Sequence, residues 1–304
     1  MEIGLRPPKP FEWPGKARLG VTVTIGFEAY VYHGHYGSHK PGKVDHLSMS
    51  FAEYAYKVGA WRIMDVLEKN GLRGCFDCNG LAAKKYPAIV ADMAKRGHET
   101  AGHGWANDMY PSDDDFAGEE RDLKNTMAAI AAATGKPPVG WVGPGSTHTA
   151  KTLDHMIEQG FLWNGDDVSH DVPFVRVHKG KPLVILPRTN LATNDLRMFL
   201  RPANSPLAYW EGFKEAFDFC YEEGKAGRPL WIDLILHCDI GARPALIGVF
   251  QRCLDYCFKH KKVWDGRRRD LAQWTLERYG EEALAAEKKG GKGRVKKGKS
   301  KKKR

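Results

Sequence analysis

Residues 230–259, LWIDLILHCDIGARPALIGVFQRCLDYCFK, decide the fold. The apolar run over 230–236 is too short for an ordinary helix and reads as a buried strand. It ends on His237, and a helix-length stretch over 244–259 follows. Moving outward, the same unit recurs. Further strands are predicted over 20–27 (GVTVTIGF, rich in β-branched residues), 74–78, 99–103, 139–142, 161–164, 183–186 and 262–265. Helices are predicted over 51–69, 87–96, 149–159, 207–223 and 268–279, with another running from a Ser112 cap to Gly135. Strictly alternating strands and helices imply a parallel sheet. Seven or eight units without a linker-like break favour a single closed or distorted barrel over an open doubly wound sheet. No GxGxxG follows the first strand, which argues against dinucleotide binding. The expected division is an N-terminal segment over 1–19, the barrel over 20–280 and a disordered Lys-rich tail over 281–304.

The net charge of +10 looks like a nucleic-acid signal until it is located. Residues 288–304 hold eleven Lys or Arg and no acid, so the remainder is close to neutral. A Lys/Gly run cannot bury apolar surface; it is expected to be a solvated extension, with at most weak binding to polyanions. The six cysteines need no disulfide framework in a 304-residue chain with 42% hydrophobic residues. No apolar stretch has the length of a signal core or a membrane span, so a reducing cytoplasmic setting is expected. Cys75-x-x-Cys78 lacks a second pair to complete a four-ligand metal site and lies in a strand-like run. It is read as two buried thiols.

In βα barrels the ligand site lies at the C-terminal strand ends. Those ends carry Glu28; Asp77 and Asn79; His103, with Trp105, Asn107 and Asp108 beyond it; Gly143-Pro144-Gly145; Asp166 and Asp167; Thr189, Asn194 and Asp195; His237; and Arg267 with Asp270. A lone strand-end histidine is commonly structural. Ionisable groups at nearly every end make a site. Amide hydrolysis needs a base for water, an acid for the leaving nitrogen and donors for the oxyanion. Glu28, Asp166 or Asp195 is read as the base and His237 as the acid, with backbone N–H groups around 143–145 for the oxyanion. The His33, His35, His39 and His46 loop shows no defensible ligand spacing and is read as a cover over the barrel mouth. Trp105, Trp163 and Trp210 are read as pocket walls for a planar substrate or, equally, as barrel packing.

RIMDVLEKNGLRGCFDCNGLAAKKYP (62–87), RGHETAGHGW (96–105), GWVGPG (140–145) and LILHCDIGARP (234–244), in this order, together resemble the NodB-type polysaccharide deacetylases. The likeness runs over 12–279. Gly140-Trp141, Asn194-Asp195 and VWDGRRRDLAQW (263–274) make it most similar to the branch with the allantoinase-like enzymes and cyclic imide hydrolases. The resemblance implies a distorted (β/α)7 barrel and hydrolysis of small amides or ring imides. It implies Glu28, His103, Asp195 and His237 as catalytic residues. Asn79, Trp105, Asn107, Pro144, Asp166, Asn194 and Arg243 are expected to bind substrate.

The family's metal-dependent members carry Asp-Asp at the first strand end and His-x-x-x-His in the second motif. Here the chain reads Phe27-Glu28 and His103-Gly-Trp-Ala-Asn107. An Asn carbonyl is a poor ligand beside imidazole. No cofactor is therefore expected, the weaker alternative being a divalent ion such as zinc on Glu28, His103 and Asp108. A small-molecule substrate and a homo-oligomer are expected. The competing functions are a metal-dependent sugar N-deacetylase and an inactive ligand-binding barrel.

Overall fold

The computed structural model describes residues 10–37, 42–188, 191–200 and 203–298. The strands are β1 (Leu19–Phe27), β2 (Cys75–Cys78), β3 (Glu99–Gly102), β4 (Gly140–Trp141), β5 (Trp163–Asn164), β6 (Phe174–His178), β7 (Lys181–Ile185), β8 (Leu230–His237) and β9 (Val263–Asp265). The helices are α1 (His46–Tyr54), α2 (Ala60–Lys69), α3 (Gly80–Lys85), α4 (Pro87–Lys95), α5 (Phe116–Thr134), α6 (Thr152–Gln159), α7 (Pro206–Lys225), α8 (Pro244–Phe258) and α9 (Arg268–Gly298). The sheet runs β6-β7-β5-β4-β3-β2-β1-β8, with β9 also paired to β1. Apart from the antiparallel β6–β7 pair, all pairings are parallel. Beyond β8, Asn194 forms an isolated parallel bridge to Ile235, and no strand pairing joins β8 to β6 or β7 among the described residues. The result is a curled, incompletely closed barrel with helices outside: the distorted (β/α)7 form.

Side chains alternate across a strand, so register decides which reach the interior. Thr22 lies opposite Asp233, Thr24 opposite Ile235 and Gly26 opposite His237. This phase turns Val21, Val23 and Ile25, with Ile232, Leu234 and Leu236, outward against the helices. The interior keeps Cys75, Ala101, Val142, Trp163 and Trp231. All six cysteines are buried and unpaired.

A charged layer lies within this interior. Arg268 is fully buried, places Nη2 2.5 Å from Asp233 Oδ2 and reaches Asp77 Oδ1 at 3.6 Å. Asp233 also accepts from Thr22 and Thr24. Breaking a buried pair from one side strands the other charge. Arg268→Met is expected to destabilise the chain by about 3–5 kcal/mol in denaturant unfolding. A loss under about 1 kcal/mol would show that Asp233 and Asp77 do not depend on it.

Several predicted boundaries change. The 51–69 helix starts earlier, at His46, and is interrupted by a π-helical turn over Ala55–Gly59. Its Gly59 lies against the carbonyl of Cys238, where a Cβ would come within 1.9 Å. Asp115, not Ser112, caps α5 by accepting from Gly118 N. The β6–β7 hairpin and α3 were not expected. β9 pairs with only the first three residues of β1, so Arg267 and Asp270 stand at the end of the barrel away from Glu28. Arg267 instead binds Asp270 and the carbonyl of Gly97, just before β3.

The expected boundary at residue 20 moves as well, because Phe11 and Trp13 are buried in the same cluster as Trp231. The helix expected to stop at 279 continues to Gly298, so no break occurs at 281. Residues 281–289 are rich in Ala, Glu and Lys, which favour helix. Residues 299–304 lie outside the described residues. Among the described residues no helix is long and apolar enough to cross a membrane.

Candidate active site

Glu28 follows β1, His103 follows β3 and His237 ends β8, all on the interior phase of their strands. Gly26 makes their approach feasible: a Cβ there would lie 2.8 Å from His237 Cδ2 and 3.0 Å from Glu28 Oε1. The Glu28 side chain is only 5% exposed. Its Oε1 is 3.2 Å from His103 Nε2 and 3.8 Å from His237 Nε2. Its Oε2 accepts from the Tyr30 hydroxyl at 2.8 Å and lies 3.2 Å from His35 Nε2. Burial alone would raise this carboxyl. The His35, His237 and His103 imidazoles outweigh it and hold Glu28 well below the usual carboxylate range.

Both nitrogens of His103 face acceptors. Nδ1 lies 2.8 Å from the Val142 carbonyl, and Nε2 faces Glu28. A neutral ring would set a lone pair against one of them, so the cation fits. Burial opposes that charge, but Glu28 prevails and raises the His103 pKa. His237 is held more firmly. Its Nδ1 is 2.5 Å from Asp195 Oδ1, and its backbone N–H donates to Asp195 Oδ2 at 2.8 Å. Burial again opposes the cation, yet Asp195 and Glu28 push it up to about 9.

His35 was missed as a site residue. The loop after β1 carries it inward and is pinned on both sides. Asp108 accepts from the backbone N–H groups of Val31, Tyr32 and His33, and Ser48 Oγ accepts from Gly34 N. His35 then meets Glu28, Tyr30 and, at 3.3 Å, Asp239 Oδ2. Its position eight residues beyond the end of β1, on the active face of a barrel, was the available signal. His46 instead opens α1 in an exposed position, and His39 and Thr189 lie outside the described residues.

The cavity beside Glu28 measures about 120 Å³. His35, His103, Asn107, Asn194 and His237 line it, together with Asp77, Ser146, Arg188 and Arg197. Asn107 turns Nδ2 toward His35 Nε2 at 3.4 Å and buries Oδ1 without a hydrogen-bond partner among the described residues.

Other expected contacts are corrected. Asp195 is fully buried and engaged by His237 and Leu196 N, so it positions His237 and is not a base for water. Asn79 spends its amide on the backbone, accepting from Ala29 N and donating to the His103 carbonyl. Asp166 accepts from Gly143 N and Asn164, which removes both Asp166 as base and Gly143 N–H as oxyanion donor. Arg243 donates to the Asp239 carbonyl and lies over Phe51, fixing the loop after β8. Trp105 and Pro144 face a neighbouring cavity of about 190 Å³ that shares Tyr110 with the first. Trp163 is core, donating to Glu99, and Trp210 packs near Phe213 and Tyr256.

The expected metal trio does not fit. Asp108 is spent on three backbone N–H groups of the loop. Another set of donors, Glu28, His35 and His237, lies within mutual reach of one ion, with ligand atoms within 4.8 Å of one another.

The chain matches the polysaccharide deacetylase family over residues 40–162. A Schizosaccharomyces pombe protein, provisionally named a polysaccharide deacetylase, is 25% identical over 87% of this chain and 92% of its own length. A peptidoglycan deacetylase of Helicobacter pylori is 22% identical over 80% of this chain and 92% of its own. Among solved structures, the PuuE allantoinase aligns with a TM-score of 0.81 and 28% identity, covering 90% of this chain and 95% of that one. A probable polysaccharide deacetylase of Pseudomonas aeruginosa PAO1 aligns at 0.80 and 28%, covering 90% and 96%. Fold, motif order and these likenesses agree: the chain resembles the polysaccharide deacetylases and their allantoinase relative over most of its length, and is a hydrolase of carbon–nitrogen bonds other than peptide bonds.

Proposed function

We propose that the chain hydrolyses a small amide, ureide or cyclic imide by acid–base activation of water, without a metal. The observation that carries this reading is the buried Glu28 carboxyl set between His103 and His237, each with Nδ1 already committed to an acceptor. Water held at Glu28 gives its proton to that carboxylate as its oxygen bonds to the substrate carbonyl carbon. Nε2–H of His237 stabilises the developing oxyanion and then protonates the leaving nitrogen as the C–N bond breaks. His103 keeps Glu28 oriented and charged. A cavity of about 120 Å³ suits a small molecule better than an extended sugar chain.

A divalent ion, if bound, would be held by Glu28, His35 and His237 and would polarise a carbonyl or a water. The test is exhaustive chelation with metal analysis, followed by assays on allantoin, hydantoins, succinimide and N-acetylated sugars. Turnover of the ring amides by metal-free protein is expected, with no action on the sugars. Activity lost on chelation and restored by zinc would overturn metal independence. Deacetylation of the sugars would favour the carbohydrate reading, and turnover of nothing would favour a binding barrel.

A further inference from the structure

The cavity has a second chemical pole that the acid–base steps leave unused. Arg188, beyond the end of β7, lines it together with Ser146 and Arg197. The Arg188 side chain is 13% exposed. Its Nη2 donates to Ser146 Oγ at 2.5 Å, and its Nη1 lies 3.5 Å from Asp77 Oδ2. Its Nε is enclosed and has no hydrogen-bond partner among the described residues. Asp77 offers weak compensation, because Arg268 draws on its other oxygen at 3.6 Å. Neither contact is a short, forked guanidinium–carboxylate pair. Arg197 is exposed and adds another cation to the lining.

The Glu28 side is the opposite in character. Glu28, Asp195 and Asp239 supply three carboxylates around His35, His103 and His237. The cavity therefore combines carboxylates and imidazoles around Glu28 with an underpaired guanidinium beside Asp77.

We propose that the substrate is an amide or ureide that also bears a carboxylate, and that Arg188, assisted by Arg197, binds this carboxylate while Glu28 and His237 address the C–N bond. The proposal rests on the reading of the site as an amide hydrolase and narrows its substrate class. An anion at the end of the Arg188 guanidinium would supply the forked partner that Asp77 does not. A neutral amide could use the acid–base pole and would leave the guanidinium as it is. A carboxylate released by hydrolysis would form at the Glu28 pole, so the Arg188 pole recognises a group already present in the substrate.

The test compares succinamate with its neutral analogue succinamide, by calorimetric titration of the full chain and by turnover. Succinamate is expected to bind at least about tenfold tighter than succinamide, as a charge-assisted forked pair allows. Arg188→Met should remove that preference, with a thermal melt close to the parent's showing that the variant is folded. Arg188→Lys should retain part of it, since it keeps the charge and loses the fork. Arg197→Ala should reduce it by less than Arg188→Met does. Equal affinity for the two ligands, or a preference that survives Arg188→Met, overturns the assignment. Turnover of both ligands at equal kcat/KM would overturn it and leave the hydrolase reading intact. Preferential binding of succinamate with no turnover of any amide would do the reverse.

Discussion

Replacing Glu28 by Gln is expected to lower kcat/KM by about 10²–10⁴-fold, the range associated with loss of a general base. The substitution keeps the shape of the side chain and removes its charge. The consequences extend to the neighbours. Glu28 accepts from Tyr30 on one oxygen and faces His103 on the other, so a Gln amide must turn its NH2 toward one of these donors. His103 loses the group that raises its pKa and returns toward a neutral ring. The base and the charge that orients it are therefore lost together, and conservative geometry cannot rescue them. Steady-state kinetics and a thermal melt separate this from unfolding. A Gln variant that is folded and within a few fold of the parent would remove Glu28 from the role of base.

The barrel was legible because its signals are periodic. The runs at 20–27 and 230–236 are long, rich in aliphatic residues and close on ionisable groups, and the register of β1 against β8 turns Glu28 and His237 into one interior. Short elements escaped: β6 is five residues long and α3 six, and the β6–β7 turn at Lys179-Gly180 sits between ordinary polar residues. The polar strand ends were overread for a physical reason. Asn79, Asp166 and Arg243 tie down backbone groups, and a side chain that satisfies a buried N–H or carbonyl looks in sequence like one that awaits a substrate. Loop residues were underread in turn. His35 enters the site because Asp108 gathers three successive N–H groups, a tertiary contact across 75–77 residues that no local pattern carries. Arg188 lies just beyond β7, where only the folded chain shows that it lines the cavity of Glu28.

Asp195→Asn is the sharper test, because it should change the shape of the pH profile as well as the rate. Asp195 meets donors on both oxygens: Nδ1 of His237 and Leu196 N on one, the backbone N–H of His237 on the other. An Asn has one oxygen to offer, so its NH2 must confront a donor or the imidazole must change tautomer. If the proton leaves Nδ1 for Nε2, the ring loses the anchor that orients it; if the ring turns, Nε2–H no longer points at Glu28. Either outcome should lower kcat by about 10²–10⁴-fold, as the loss of an orienting carboxylate does in carboxylate–imidazole pairs. The sign of the pH effect follows from the same contact. His237 has its pKa raised to about 9, so the acid form is present below that value and activity should fall as pH rises through it. Without the Asp195 charge the alkaline limb of kcat/KM should move down toward the ordinary histidine value of 6.5. Stability should follow the same sign. A histidine raised on folding contributes fully below its unfolded pKa and loses that contribution as pH climbs through the folded one, so the window from 6.5 to about 9 should flatten in the variant. A parental alkaline limb in Asp195→Asn would mean that His237 is not the acid, whatever the drop in rate.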